Sequence, residues 1–179
     1  LIGSQITVDF SDGSVLTGGL FAVMGDPTAS QFLVTGGSIG SAGFSGNALD
    51  GFHVEQDNSD IASFTADDNS FSDNGTSGAG SGLNFAVMTN SDLGPVSMTS
   101  NNLDGNADDG FRLAGVAPTS NLLNLTFDQN ASISGNGGRG INLTIPDGVD
   151  VNLTLTNNAA ISNNGQEGVL VDLGQNSTL

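Results

Sequence analysis

The residues able to do chemistry are few, and nearly all are acidic. Asp50, Asp109 and Glu167 each stand immediately before a glycine, and Arg139 holds the same place in a fourth segment. Asp67-Asp68 and Asp108-Asp109 are the two adjacent acidic pairs. Paired carboxylates can act as general acid and base in glycoside hydrolysis. Several carboxylate and carbonyl oxygens together can hold Ca²⁺. The calcium ligands suggested by this pattern are Asp50, Asp104, Asp108 and Asp109, although the Gly/Asp-rich nonapeptide of calcium-binding β-rolls is absent. The competing reading is a set of solvated acidic turns along one corner. Arg112 follows its glycine and Arg139 precedes its own, so the two are expected to face different ways. His53 is the single histidine. It follows Phe52 in an alternating run and is expected to point outward. No nucleophile–base pair can be assembled without another His or Lys, so the expectation is a protein that is not an enzyme.

These residues are carried by a repeat. Ile133-Ser134-Gly135-Asn136, three residues, then Gly140-Ile141-Asn142-Leu143 recurs 28 residues later as Ile161-Ser162-Asn163-Asn164, three residues, then Gly168-Val169-Leu170-Val171. Further copies read Phe44-Ser45-Gly46-Asn47 with Gly51-Phe52-His53-Val54, and Leu103-Asp104-Gly105-Asn106 with Gly110-Phe111-Arg112-Leu113. A looser copy reads Phe71-Ser72-Asp73-Asn74 with Gly82-Leu83-Asn84-Phe85. Its Gly/Ser-rich insertion, Thr76 to Ser81, is expected to bulge outward. The asparagines fall at 47, 74, 106, 136 and 164, and the glycines at 51, 82, 110, 140 and 168. A fixed period in this range marks stacked supersecondary units.

Strands are expected wherever apolar and polar residues alternate: Gln5 to Phe10, Gly19 to Val23, Phe32-Leu33-Val34, Val96 to Thr99, Leu123 to Phe127 and Val151 to Leu155. Turns or loops are expected at Ser11-Asp12-Gly13, from Met24 to Ser30, and from Gly36 to Gly43. Helical spacing is not sustained anywhere. Residues 1–30 read as a degenerate first coil and 31–179 as regular coils of one segment. Gly174 to Leu179 reads as the entry to a seventh. If each copy is one turn, Phe44, Phe71, Leu103, Ile133 and Ile161 should form one inward column. Phe52, Leu83, Phe111, Ile141 and Val169 should form another. About six coils at about 4.8 Å each would give a rod roughly 29 Å long. The recurrent Asn suits left-handed corners and can form side-chain ladders. Asn130 and Asn158 suggest a second row.

Composition narrows the partners. Nineteen acidic residues against two Arg and no Lys give a net charge of −17. This argues strongly against nucleic acid and anionic membranes as partners, since both need clustered basic residues. There is no Cys, hence no disulfide or thiolate site. No apolar run is long enough to span a membrane. The chain does not begin with Met and shows no signal peptide; a removed leader or a longer parent is expected. Asn74, Asn124, Asn130, Asn142, Asn152 and Asn176 fit Asn-x-Ser/Thr. An ice-binding face would need Thr-x-Thr repeated in register, and Thr154-x-Thr156 occurs once.

Ile-Ser-Gly-Asn, a short gap, then Gly-Ile-x-Leu resembles the repeat of right-handed parallel β-helix proteins. These include the pectate-lyase-like superfamily, periplasmic copper-maturation β-helix proteins and repetitive bacterial surface proteins. The resemblance implies an all-β, right-handed parallel β-helix, or solenoid, of about six coils of 28–32 residues. It leaves function open, because one coil serves enzymes, adhesins and rods. The leading expectation is a non-enzymatic extracellular or cell-surface solenoid acting as filament subunit, stalk or adhesin passenger. It would associate end to end, Leu179 toward Leu1, or continue into neighbouring coils of a longer chain. The alternative is a carbohydrate-active β-helix, a lyase, hydrolase or glycan-binding module. Bound calcium and a glycan partner are the accompanying possibilities.

Overall fold

A computed structural model describes residues 5–9, 19–24, 30–35, 44–57, 60–87, 91–115 and 122–179. For 5–9, 19–24, 30–35, 55–57, 60 and 62 only the backbone is described. The turn at Ser11-Asp12-Gly13, the loop body after Met24 and the Gly36 to Gly43 connection lie outside these residues. Among the described residues there are fifteen strands and no helix. In chain order they are β1 (Gln5–Asp9), β2 (Gly19–Met24), β3 (Ser30–Thr35), β4 (Phe52–Asp57), β5 (Asp60–Asp67), β6 (Leu83–Val87), β7 (Asp92–Leu93) and β8 (Val96–Thr99). Then come β9 (Phe111–Gly115), β10 (Leu122–Asp128), β11 (Ile133–Ser134), β12 (Ile141–Ile145), β13 (Asp150–Thr156), β14 (Ile161–Ser162) and β15 (Val169–Leu173).

The strands stack in parallel as a β-solenoid with three walls. The first wall runs β1-β3-β5-β8-β10-β13, with β7 also on β5. The second runs β2-β4-β6-β9-β12-β15. The third is β11-β14, extended by the bridges Ser70↔Asn102 and Asn102↔Ser132. Both long walls therefore carry six rungs. Turns closed through all three walls among the described residues number about four, from Phe44 to Ile161. Adjacent β-strands sit about 4.8 Å apart.

Alternation is what makes these segments strands. β6 reads buried, half-buried, buried, half-buried, buried, so Leu83, Phe85 and Val87 face inward while Asn84 and Ala86 face out. Both expected columns form. Phe44, Phe71, Leu103 and Ile133 are fully buried, and Ile133 pairs with Ile161. Phe52, Leu83, Phe111, Ile141 and Val169 are consecutive partners across the second wall. Phe44 and Phe71 stack with centroids 5.0 Å apart, and Phe111 meets Phe127 edge-on at 5.0 Å. Each such buried side chain stabilises the fold by about 1.5–3 kcal/mol.

Two corners are built on asparagine. Between third and second walls, the N–H and Nδ2 of Asn47 both donate to Asn74 Oδ1 (3.1 and 2.9 Å). The same pair of bonds runs from Asn74 to Asn106, Asn106 to Asn136 and Asn136 to Asn164. Between first and third walls a second ladder links Asn69, Asn101, Asn130 and Asn158. Asn130 and Asn158 were expected there; Asn69 and Asn101 extend the row. One expectation is corrected. The ladder asparagines are not the left-handed residues. The residue before each one is: Gly46, Asp73, Gly105, Gly135 and Asn163 at one corner, and Asp68, Ser100, Gln129 and Asn157 at the other, all with φ between 52° and 70°. The residue in front takes the kink, and the asparagine's N–H and amide both meet a single acceptor in the next rung.

The repeat glycines are needed for space. A Cβ on Gly82 would lie 2.6 Å from both Gly110 O and Phe71 O. The insertion bulges as expected, with 76–79 exposed, and its first residues bond back to Asn47 O and Ala48 O. At the far end Gly148 and Val151 donate to Gln175 O and Thr178 O. The last segment thus starts a further rung. On the first wall Thr65, Ser97, Thr126 and Thr154 align outward, but the column beside them is Asp67, Thr99, Asp128 and Thr156. Thr-x-Thr is complete once.

Candidate functional site

The outward face where the second wall begins holds most of the residues singled out for chemistry. Asp50, Ser81, Asp109, Arg139 and Glu167 form one column, linked rung to rung through the N–H of the glycine that follows each. His53, Asn84, Arg112, Asn142 and Leu170 form the next column. Alternation in the strands puts the second column outward. The two arginines and the histidine, the chain's whole complement of such side chains, therefore share one face.

The carboxylates there are fastened to the following rung. Asp50 Oδ1 accepts the Ser81 N–H (2.7 Å), and Oδ2 accepts from Asn84 Nδ2 (2.9 Å) and lies 2.8 Å from His53 Nδ1. Asp109 repeats the arrangement, with Oδ1 on the Arg139 N–H and Oδ2 on Asn142 Nδ2, both 2.7 Å. Elsewhere Asp104 accepts the Ser134 N–H (2.7 Å), Asp147 the Gln175 N–H (2.7 Å) and Asp150 the Thr178 N–H and hydroxyl. These aspartates act as staples between rungs. From the sequence, Asp50, Asp104 and Asp109 read as solvated turns or metal ligands. The available signal was a polar side chain 28–34 residues further on, as at Asp50 with Asn84, Asp109 with Asn142 and Asp150 with Thr178.

Electrostatics separates two aspartates. Burial pushes Asp50 upward, but hydrogen bonds from His53, Asn84 and the Ser81 N–H, with the charge of His53, outweigh it and hold the carboxyl below its ordinary 3.8. Asp108 moves the other way: burial raises it first and Asp109 second, against Arg112 and Arg139. Arg112 and Arg139 were expected to face different ways, yet both act on Asp108. The stacking of adjacent rungs brings their columns together. Arg139 Nε also pairs with Glu167 Oε2 at 2.8 Å, an exposed pair worth little. The backbone N–H of Glu167 and Arg139 together lower Glu167.

The four calcium candidates do not converge on one point, although Asp108 feels the charges of Asp109 and Asp50. Asp104 lies on the third wall, two positions before the corner Asn106. Asp50 and Asp109 are separated by the rung of Ser81. Among the described residues no group of three or more His, Cys, Asp or Glu is placed to hold a metal ion. The sequons divide sharply. Asn74 and Asn130 are buried in the ladders, Asn142 is tied to Asp109, and Asn152 donates to Asn124 on the outer face of the first wall (3.0 Å). A separate hollow is lined, among the described residues, chiefly by Val87, Leu93, Leu113, Leu123, Ile145 and Val149, an almost wholly apolar set. The chain matches no protein-family model, no curated protein and no solved structure.

Proposed function

We propose that the protein is a structural β-solenoid without enzymatic activity: a filament subunit, stalk or adhesin passenger segment at or outside the cell surface. The observation that carries this reading is the sameness of the rungs. Each offers the next one the same asparagine ladders and apolar columns, and Asp50 and Asp109 staple alternate steps, so length grows by repetition. The carboxylates most suited to chemistry are occupied in holding rungs together. On the last rung Leu153, Ile161, Val169, Val171 and Leu173 are only partly buried, a surface suited to a further coil of the same chain or to a second copy, Leu179 end to Leu1 end. A surface with a large negative charge resists non-specific association. Negative-stain electron microscopy with light scattering tests the reading. Rods or end-to-end oligomers support it; compact monodisperse particles at high concentration count against self-stacking.

The second reading is a carbohydrate-active face of the pectate-lyase-like type. It is favoured by the gathering of His53, Arg112 and Arg139 beside Asp50, Asp108 and Asp109. A screen on acidic polysaccharides, with and without calcium, separates the two. Product formation or retention that Arg112→Ala removes would replace the structural reading.

A further inference from the structure

The asparagine ladders and apolar columns repeat from rung to rung, so neither distinguishes a coil laid in its proper place from one laid a coil out of step. The outward columns do. At the end of the first wall Asp9, Thr35, Asp67, Thr99, Asp128 and Thr156 are consecutive register partners. Asp and Thr alternate through all six. At the corner before the second wall Asp50, Asp109 and Glu167 alternate with Ser81 and Arg139. In the column beside it His53 and Arg112 alternate with Asn84 and Asn142. The three columns keep step. One kind of coil carries Asp at the corner, a basic side chain three residues on, and Asp at the end of the first wall: Asp50, His53 and Asp67, then Asp109, Arg112 and Asp128. The coil after each carries donors at those places: Ser81, Asn84 and Thr99, then Arg139, Asn142 and Thr156.

The alternation has two physical effects. It staples each acidic coil to the donor coil after it. Asp50 takes the Ser81 N–H and Asn84, Asp109 takes the Arg139 N–H and Asn142, and Asp128 accepts the Thr156 hydroxyl at 2.8 Å. It also sets like charges in a column two rungs apart. That is about 9.6 Å, beyond the Debye length of about 8 Å at physiological ionic strength. On adjacent rungs they would be about 4.8 Å apart and scarcely screened. The rule belongs to these columns; at the start of the first wall Asp60 and Asp92 are register partners.

We infer that a pair of coils is the registration unit of this solenoid: the alternation admits the native stacking and a shift by two coils, and rejects a shift by one. A one-coil slip would lay Asp50 on Asp109, His53 on Arg112 and Asp67 on Asp128, and would take Ser81 and Asn84 away from Asp50. A two-coil shift gives Asp50 the donors that Asp109 has, Arg139 N–H and Asn142, and lays Asp67 on Thr156. The device rests on stacking alone and serves a stalk or a carbohydrate-binding face equally.

Ser70, Asn102 and Ser132 are in register on the third wall. Excising residues 71–102 therefore removes one coil and excising 71–132 removes two, with ladders and apolar columns rejoined in both. Thermal unfolding in low salt tests the inference. Were coils interchangeable, the shorter chain would melt lower, because each lost interface costs stability. The expected order is the reverse: the two-coil excision melts at least ~5 °C above the one-coil excision, and 1 M salt narrows the gap. Adding Asp109→Ser, Arg112→Asn and Asp128→Thr to the one-coil excision should recover most of its loss. A one-coil excision that melts at or above the two-coil one would overturn the inference. Should neither excision fold, Thr99 in the full chain decides. Thr99→Asp, set between Asp67 and Asp128, should melt about 2–5 °C below Thr99→Asn in low salt; equal melting temperatures would overturn it.

Discussion

Ile133 and Ile161 occupy the same position in the same repeat, one rung apart. Ile133 is fully buried; Ile161 is only partly covered. Leu125 and Leu153 differ in the same way, and so do Leu143 and Val171. The local sequence is equivalent in each pair, so the difference comes from the neighbours. An inner rung has its apolar face covered from above and below, and each of its ladder amides is held in both directions. Among the described residues the rung of Ile161 is packed on one side and only partly covered on the other. In a solenoid the contribution of a residue is set by its rung as much as by its type.

Several substitutions would sharpen or break this contrast. The largest effect is expected in the inner column: Phe71→Ala should cost about 3–5 kcal/mol, whereas Leu155→Ala on the last rung should cost under ~1 kcal/mol because that side chain is already 39% exposed. Urea denaturation measures both. Equal losses would mean that the last rung is covered in solution. Next comes the ladder. Asn106→Ala leaves the Asn74 N–H and Nδ2 without an acceptor and Phe71 O without its donor, at about 3 kcal/mol, against about 1 kcal/mol for Asn164→Ala. Hydrogen exchange at Asn74 would report the inner loss directly. Third, a Cβ on Gly110 would lie 2.7 Å from Gly140 O and 2.9 Å from Asn136 Nδ2, while on Gly168 its nearest neighbours are 3.4 and 3.5 Å away. Gly110→Ala should therefore cost roughly 1–3 kcal/mol and Gly168→Ala much less, by the same measurement.

The smallest expected effect is in pH dependence, where Asp50 and Asp108 have opposite signs. Asp50 is held below 3.8 in the folded state. Its contribution is complete above that value and is lost as pH falls through the lowered one. Asp108 is raised, so the folded protein binds its proton first and gains stability as pH falls through the raised value. Asp50→Asn should flatten the acid limb of a stability–pH curve. Asp108→Asn should raise stability at neutral pH and remove the gain on acidification. Curves that move together would contradict the two environments described.

Much of the wall structure was legible because its signals are local and periodic. Phe44, Phe71, Leu103 and Ile133 announced one column by their distance from Asn47, Asn74, Asn106 and Asn136. The second ladder was half legible: Asn130 and Asn158 stand out by an offset of six residues from Asn136 and Asn164, whereas Asn69 and Asn101 stand five residues before Asn74 and Asn106. The left-handed corner residues were misassigned by one place, because Asp, Ser, Gln, Asn and Gly all fill that position and no single type marks it. The polar face was least legible. Whether an aspartate such as Asp109 is a solvated turn, a metal ligand or a staple depends on what the next rung places opposite it.

What the chain alone determined is the unit: strand alternation, asparagine and glycine corners, the spacing of the coils, and a net charge of −17. Those follow from steric and hydrophobic rules that act within a few residues. Only the stacked structure decided that the aspartates bind rungs together and that both arginines and His53 share a face. Each of these depends on contacts between residues about 30 positions apart, and such contacts exist only once one turn has been laid on another.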